Sequence, residues 1–198
     1  QEMYIDIGAE TKEHALKLVS YGDYIVFDSQ PEDFGEGLIK ARALDGRAGC
    51  AALIKLIEEG PDVSAVYVFA AQDEVGFRSS TGGGPAAFNA EAEVAIVVDG
   101  VIAADLPGVS AYDRVCEVGK GAVVPFMNGA IYDKNLVALI QRLADENGIT
   151  WQEQTVPSPG GMLSKTIEKT RTGVKVCGIS VPVRYPRTGA SLAAVSDI

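Results

Sequence analysis

Apolar positions fall into two regimes along this chain. Up to about residue 42 they come in short pieces: Met3 to Ile7 alternates weakly until Gly8, and Tyr24 to Phe27 forms a second run. Both pieces read as strands, with Thr11 placed to cap a helix over Lys12 to Val19 and a loop Ser29 to Gly37 following. From Ala43 onward, longer apolar runs alternate with helical spacing. The pattern predicts a helix over Gly49 to Glu59, then a strand Val63 to Ala71. That strand, rich in Val and Ala with Tyr67 and Phe69, reads as central and buried. A flexible loop holding Gly82, Gly83, Gly84 and Pro85 follows, then strands Val94 to Val98 and Val123 to Met127. Lys134 to Asn147 reads as a helix stopped by Gly148, with Leu136, Leu139, Ile140 and Leu143 on the face that meets a sheet. A loop Pro157 to Gly161, a modest helix to about Thr170 and a strand Val174 to Val183 complete the series.

This alternation predicts an α/β fold over residues 43–198, with a mostly parallel central sheet flanked by helices. Residues 1–42 read as a smaller β-rich unit, and the composition shifts near Ala43. At 198 residues and 47% apolar content the chain can bury a substantial core. A net charge of −10 argues against nucleic acid and anionic membranes as partners. No run approaches the roughly 20 apolar residues of a membrane span. The three cysteines, Cys50, Cys116 and Cys177, show no CxxC spacing and sit in apolar stretches, as buried free thiols of a reducing cytoplasm do. Gln1 stands first, without a methionine, in what reads as a strand, so a processed, truncated or excised start is expected.

Acids close three of the apolar runs. Asp45 lies in Ala43-Leu44-Asp45-Gly46-Arg47-Ala48-Gly49, just before a helix; Asp73 and Glu74 follow the run ending at Ala71; Asp99 follows Glu93 to Val98. A solvated turn or a helix cap accounts for each one alone. On neighbouring parallel strands they would meet at one sheet edge, where open α/β sheets bind ligands. Clustered carboxylates of this kind form the oxygen half of a two-metal hydrolytic site. Other glycine pairs, Gly35 with Gly37 and Gly119-Lys120-Gly121, lack a phosphate or dinucleotide signature. Trp151 and Tyr185 read as packing residues, and Cys50 and Cys177 lack a partner histidine.

The segments that carry these acids, together with Met3 to Ala9, Ala95 to Asp99, Asp105 to Gly108, Gly119 to Gly121, Gly160-Gly161 and Ile179 to Tyr185, run in one order over nearly the whole chain. In that order the chain resembles the TET-type, glutamyl-aminopeptidase family of dinuclear metalloaminopeptidases, some of whose members are labelled endoglucanases. The resemblance implies a peptide hydrolase acting on N-termini of short peptides. It implies two divalent cations, Zn or Co, with Mn or Mg as alternatives, and homo-oligomers built through an inserted β domain. Residues 1–42 would then be the closing part of that dimerisation-type domain plus a return linker. It further implies Asp45 as the carboxylate bridging the metals, Asp73 as the general base, and Glu74 and Asp99 as single-metal ligands.

The sequence also departs from that pattern. Arg187 stands where the family carries a histidine ligand, and the segment bearing a second histidine ligand has no counterpart here. His14, the single histidine, lies among Lys12, Glu13 and Lys17 and is expected to face solvent. Gly160-Gly161 is followed by Met162-Leu163 instead of Thr-Asp. Asp73 replaces a glutamate and is shorter by one methylene, about 1.5 Å. An all-oxygen ligand set favours Mg, Mn or Ca over tight Zn binding. The alternative reading is therefore a non-catalytic relative or fragment that binds no cation and acts in self-assembly, with Arg187 neutralising the acids. A chain lacking the first strands of the sheet is also expected to expose apolar surface.

Overall fold

The computed structural model describes residues 4–73, 82–110, 113, 115–128, 130–154 and 162–198. Three sheets and five helices carry the fold among them. The central sheet has the order β3-β8-β4-β7, from strands Val94–Ile102, Lys175–Val183, Ala122–Pro125 and Trp151–Gln154. β3 and β8 run parallel in register from Val94 opposite Lys175 to Ile102 opposite Val183. β4 and β7 are also parallel, and β4 meets β8 antiparallel at Val123 and Ser180. Helices flank this sheet: α2 (Leu44–Glu59), α3 (Gly83–Asn89), α4 (Lys134–Glu146) and α5 (Met162–Ile167). α1 (Lys12–Leu18) buries no residue. Near the chain termini, β1 (Glu32–Asp33), β2 (Leu38–Ala41) and β9 (Ser191–Ala194) form an antiparallel sheet of order β1-β2-β9. β5 (Met127–Asn128) and β6 (Ala130–Ile131) form a small hairpin.

Local chemistry explains the well-formed elements. Asp133 caps α4, its carboxylate accepting from the amides of Asn135 at 2.9 Å and Leu136 at 3.1 Å, a device that stabilises by about 1 kcal/mol. Gly148 follows in the left-handed region at φ 65°, where glycine ends helices without steric penalty. Thr11 caps α1 through the His14 amide at 3.1 Å, as its sequence position predicts. The main core joins Val97 of β3, Val124 of β4, Val176 and Cys177 of β8, Val137 of α4 and Ile167 of α5. A second core places Leu44 and Ala48 of α2 against Val181 and Val183 of β8 and Ala193 of β9.

One close approach sets the position of α2. A Cβ at Gly49 would lie 2.5 Å from the Val98 carbonyl oxygen, and one at Gly100 would lie 2.5 Å from the Asp45 Cα. Only a pair of glycines lets the first turns of the helix rest on the backbone of β3. That contact brings Asp45 beside the middle of the strand.

The structure corrects several expectations. Val63 to Ala71 belongs to no strand, and Val63, Val66 and Phe69 are exposed by 68%, 69% and 48%. No described strand offers it a ladder, so its apolar content cannot be buried by pairing. The same holds for Tyr4 to Ile7 and Tyr24 to Phe27, which are unpaired and exposed; Met3 lies outside the described residues. α2 begins at Leu44, five residues before the expected Gly49, because the approach to β3 stabilises its first turn. Gly83 and Gly84 open a helix instead of lying in a flexible loop, since α3 packs on α5 with Gly83 against the Leu163 side chain. Asp99 sits inside β3 and does not end it, because β8 continues the ladder to Val183. α4 turns Val137 and Ala144 inward, with Leu136 and Ile140 beside them, while Leu139 and Leu143 are exposed by 39% and 45%.

Candidate active-site cleft

A cleft of about 790 Å³ opens beside β3, and the described acids of the sequence pattern all line it: Asp45, Asp73 and Asp99. Each comes from a different element. Asp45 lies in the first turn of α2, held by the contact with Gly100. Asp99 lies midway along β3, its Oδ1 accepting from the Gly100 amide at 2.8 Å. Asp73 follows the unpaired segment 63–72, where Gly82 presses against the Ala71 carbonyl. Its Oδ1 is buried and accepts no hydrogen bond in the structure. The other wall is apolar, with Ile25, Val26, Phe27, Val68 and Phe69.

Cations line the cleft as well. Arg42, Arg47 and Arg187 border it, the last from the turn between β8 and β9. This turn is fixed from within: the Thr188 hydroxyl donates to the Tyr185 carbonyl at 2.7 Å, the Ser191 hydroxyl donates to the same oxygen at 3.0 Å, and the Ala190 amide donates to Thr188 Oγ1 at 3.2 Å. Tyr185 and Arg187 take φ of 52° and 60° in it. Glu74, Gly160 and Gly161 lie outside the described residues. Among the described residues no three His, Cys, Asp or Glu side chains gather closely enough to hold a metal ion. His14 is exposed on α1 and does not line the cleft.

Two buried carboxylates outside the cleft lining had no assigned role in the sequence reading. Asp105 receives Arg184 through two hydrogen bonds of 2.7 Å and accepts from the Val118 amide at 2.9 Å. Burial alone would raise its pKa, but the Arg184 bonds and charge and the Val118 amide outweigh this and hold it below the usual 3.8. The same pairing raises Arg184. Asp197, 4% exposed, accepts from the amides of Gly119 at 2.6 Å and Gly121 at 2.8 Å. Asp105, Gly119, Gly121 and Arg184 all fall in the segments that carried the resemblance, which was the available signal; Asp197 had none. Burial pushes the Cys116 thiol up to about 12, with Asp105, Asp197 and Glu117 adding to it. Burial, with Asp133, pushes Cys177 up to about 11. Neither thiol is a nucleophile near neutral pH.

The fold and cleft define an α/β protein with a parallel-rich sheet in which aspartates from α2, β3 and an unpaired segment line one cleft, a hydrolase-like arrangement. The family model described as M42 glutamyl aminopeptidase matches residues 1–198, and the chain belongs to that family. A putative aminopeptidase of Acetivibrio thermocellus is 35% identical over 199 residues, covering 100% of this chain and 58% of the relative. The solved aminopeptidase of the archaeon Desulfurococcus kamchatkensis superposes with a TM-score of 0.88 at 28% identity, over 97% of this chain and 54% of the other. A TET peptidase of Pyrococcus horikoshii, described as able to assemble into a tetrahedron or a large octahedral shell, matches with a TM-score of 0.78 at 28% identity over 97% of this chain and 56% of the other. The chain thus spans little more than half the length of the relatives it matches.

Proposed function

We propose that the chain is the metal-dependent, aminopeptidase-like part of a peptide hydrolase, with an incomplete set of metal ligands, acting at the N-termini of short peptides. The observation that carries this reading is the convergence of Asp45, Asp73 and Asp99 on one cleft in a member of an aminopeptidase family. These residues suit a divalent cation in two respects. Their oxygens are the hard donors such an ion takes, and one Asp73 oxygen is buried without a hydrogen-bond partner. Asp45 and Asp99 would hold the cations together with Glu74. Zn or Co is the family expectation, and Mn or Mg the better match to oxygen donors. When bound, such cations supply Lewis acidity to a peptide carbonyl and acidify a water. Asp73 would take the proton from that water and pass it to the departing amine. Gly160 and Gly161 would line the site, and the apolar wall of Phe27 and Phe69 would seat the substrate side chain and exclude water.

The second reading, a non-catalytic relative acting in self-assembly, is favoured by Arg187 on the same cleft. On either reading we propose homo-oligomers, by analogy with the shells of the Pyrococcus horikoshii peptidase. The exposed Tyr24, Val63 and Val66 offer apolar area for such contacts. The proposed domain division sets residues 1–42 apart as a dimerisation-type β domain with its return linker. Pairing of β2 with β9 fits a linker docked on residues 43–198. No described helix is long and apolar enough to cross a membrane, and the proposed setting is the cytoplasm. Elemental analysis of purified protein, with cleavage of aminoacyl-nitroanilides, tests the proposal. Near-stoichiometric metal with turnover supports the enzyme; neither supports the non-catalytic reading.

A further inference from the structure

We infer that Asp105 and Arg184 are positioning residues of the cleft: together they set the turn between β8 and β9 that forms one of its rims. This rests on the reading of the cleft as the working site and names what shapes it. Neither side chain lines the cleft, whereas Pro186, Arg187 and Thr188 of the turn do. The parallel ladder of β3 on β8 ends with Ile102 opposite Val183, where the Ala103 amide donates to the Val183 carbonyl at 2.9 Å. Arg184 is the next residue. It exchanges backbone hydrogen bonds of 2.8 and 3.0 Å with Leu192, which closes the two arms of the turn on each other. Between the arms, the Thr188 and Ser191 hydroxyls hold the Tyr185 carbonyl. A turn tied in this way moves as one piece, and its direction is decided at its base.

The guanidinium stands at that base. Nε and Nη2 of Arg184 donate at 2.7 Å to different oxygens of Asp105, whose side chain is 6% exposed. Two parallel bonds fix the plane of the guanidinium as well as its distance, which a point charge does not do. Asp105 is itself held, accepting from the Val118 amide at 2.9 Å just beyond a small core of Val101, Ala103, Cys116 and Val123. The fork therefore ties the turn to the exit of β3, and β3 is the strand that holds Asp99 in the cleft. Stability alone is a poor account of such a pair. Taking two ions out of water costs about as much as their attraction returns, and apolar residues of similar volume often serve as well. What apolar packing does not supply is direction.

Hydrogen–deuterium exchange of the whole chain, read over residues 185–192, tests this together with the rate at which a disulfide reagent labels Cys50 in the cleft lining. Asp105→Asn removes the charge that holds the fork, and Arg184→Lys keeps the charge but replaces the fork by a point. Tyr132→Phe is the control, deleting a buried hydrogen bond of 2.9 Å to Ser164 in the main core. The expected result is exchange over 185–192 about tenfold faster in Asp105→Asn and Arg184→Lys, with Cys50 labelling about threefold faster in both. Tyr132→Phe should lower the melting temperature and change neither rate. Unchanged exchange in either variant of the pair would leave it merely structural and overturn the proposal. Faster exchange with unchanged Cys50 labelling would also sink it, since the turn would then not shape the cleft. Equal acceleration in Tyr132→Phe would do the same, by tracing the effect to stability. Both readouts work without turnover, so a failed nitroanilide assay sinks the peptidase reading and leaves this test intact.

Discussion

Two nine-residue stretches with three valines each behave in opposite ways in this molecule. β8, Lys175–Val183, is buried along most of its length, hydrogen-bonded to β3 on one side and meeting β4 on the other. Val63 to Ala71, equally rich in valine, belongs to no described strand and exposes Val63 and Val66 by more than two thirds. Apolar content is common to both; neighbours are what differ. A strand is buried by its pairing and by the layers its sheet supports, so composition predicts the wish for burial and not its fulfilment. The contrast has a functional side, because the paired region supplies Asp99 on a rigid ladder and the unpaired one supplies Asp73.

The sharpest way to break the contrast is to attack the contact that joins Asp45 to the ladder. Gly100→Val would drive a branched side chain into the Asp45 backbone, and we expect a loss of about 3 kcal/mol or more, read as a fall in the urea midpoint. Matched substitutions on the two stretches come next. Val183→Ala in β8, where the side chain is fully buried, is expected to cost about 2 kcal/mol. Val66→Ala, 69% exposed, should fall within about 0.5 kcal/mol. Equal losses in the two would show that the 63–71 segment is buried in solution.

Acid supplies a milder probe of the paired region. The folded pKa of Asp105 lies below its ordinary 3.8, so its contribution is complete above that value and is lost as pH falls through the folded one. The melting temperature should therefore fall steeply below about pH 4. Asp105→Asn should cost about 1–2 kcal/mol at neutral pH and flatten that acid limb. The smallest effect concerns thiols. Cys116 and Cys177 are buried with raised pKa values, whereas Cys50 is half-exposed and lines the cleft. Disulfide-exchange labelling of the native protein at pH 8 should modify Cys50 first and the other two only on unfolding.

Where local chemistry decides, the chain could be read from its residues. The cap Thr11, the helix over Lys134 to Glu146 with its stop at Gly148, the start of β3 at Val94 and the strand β8 fall close to their expected places. Where tertiary contact decides, it could not. α2 gains its first turn from the Gly49 and Gly100 approach, and α3 arises from glycines that read as a loop. β7, Trp-Gln-Glu-Gln, has too little apolar content to announce a strand, yet it pairs with β4 along its length. In the cleft, Asp45, Asp73 and Asp99 were legible because each follows an apolar run near a glycine. The Asp197 contacts were not, since they depend on backbone amides far away in sequence.

That last feature bears on the order of events during synthesis. Asp197 closes on amides 76 and 78 residues earlier, and β3 finds its parallel partner only in β8. While the segment around Gly119 leaves the ribosome, the carboxylate that will hold it does not yet exist. β3 likewise emerges with its apolar face formed and its ladder missing. Loops of this span close slowly, because their entropy is lost before the distant contact rewards it. Until β8 is synthesised β3 lacks its parallel partner, and this is the stage at which chaperone binding would have the most to offer.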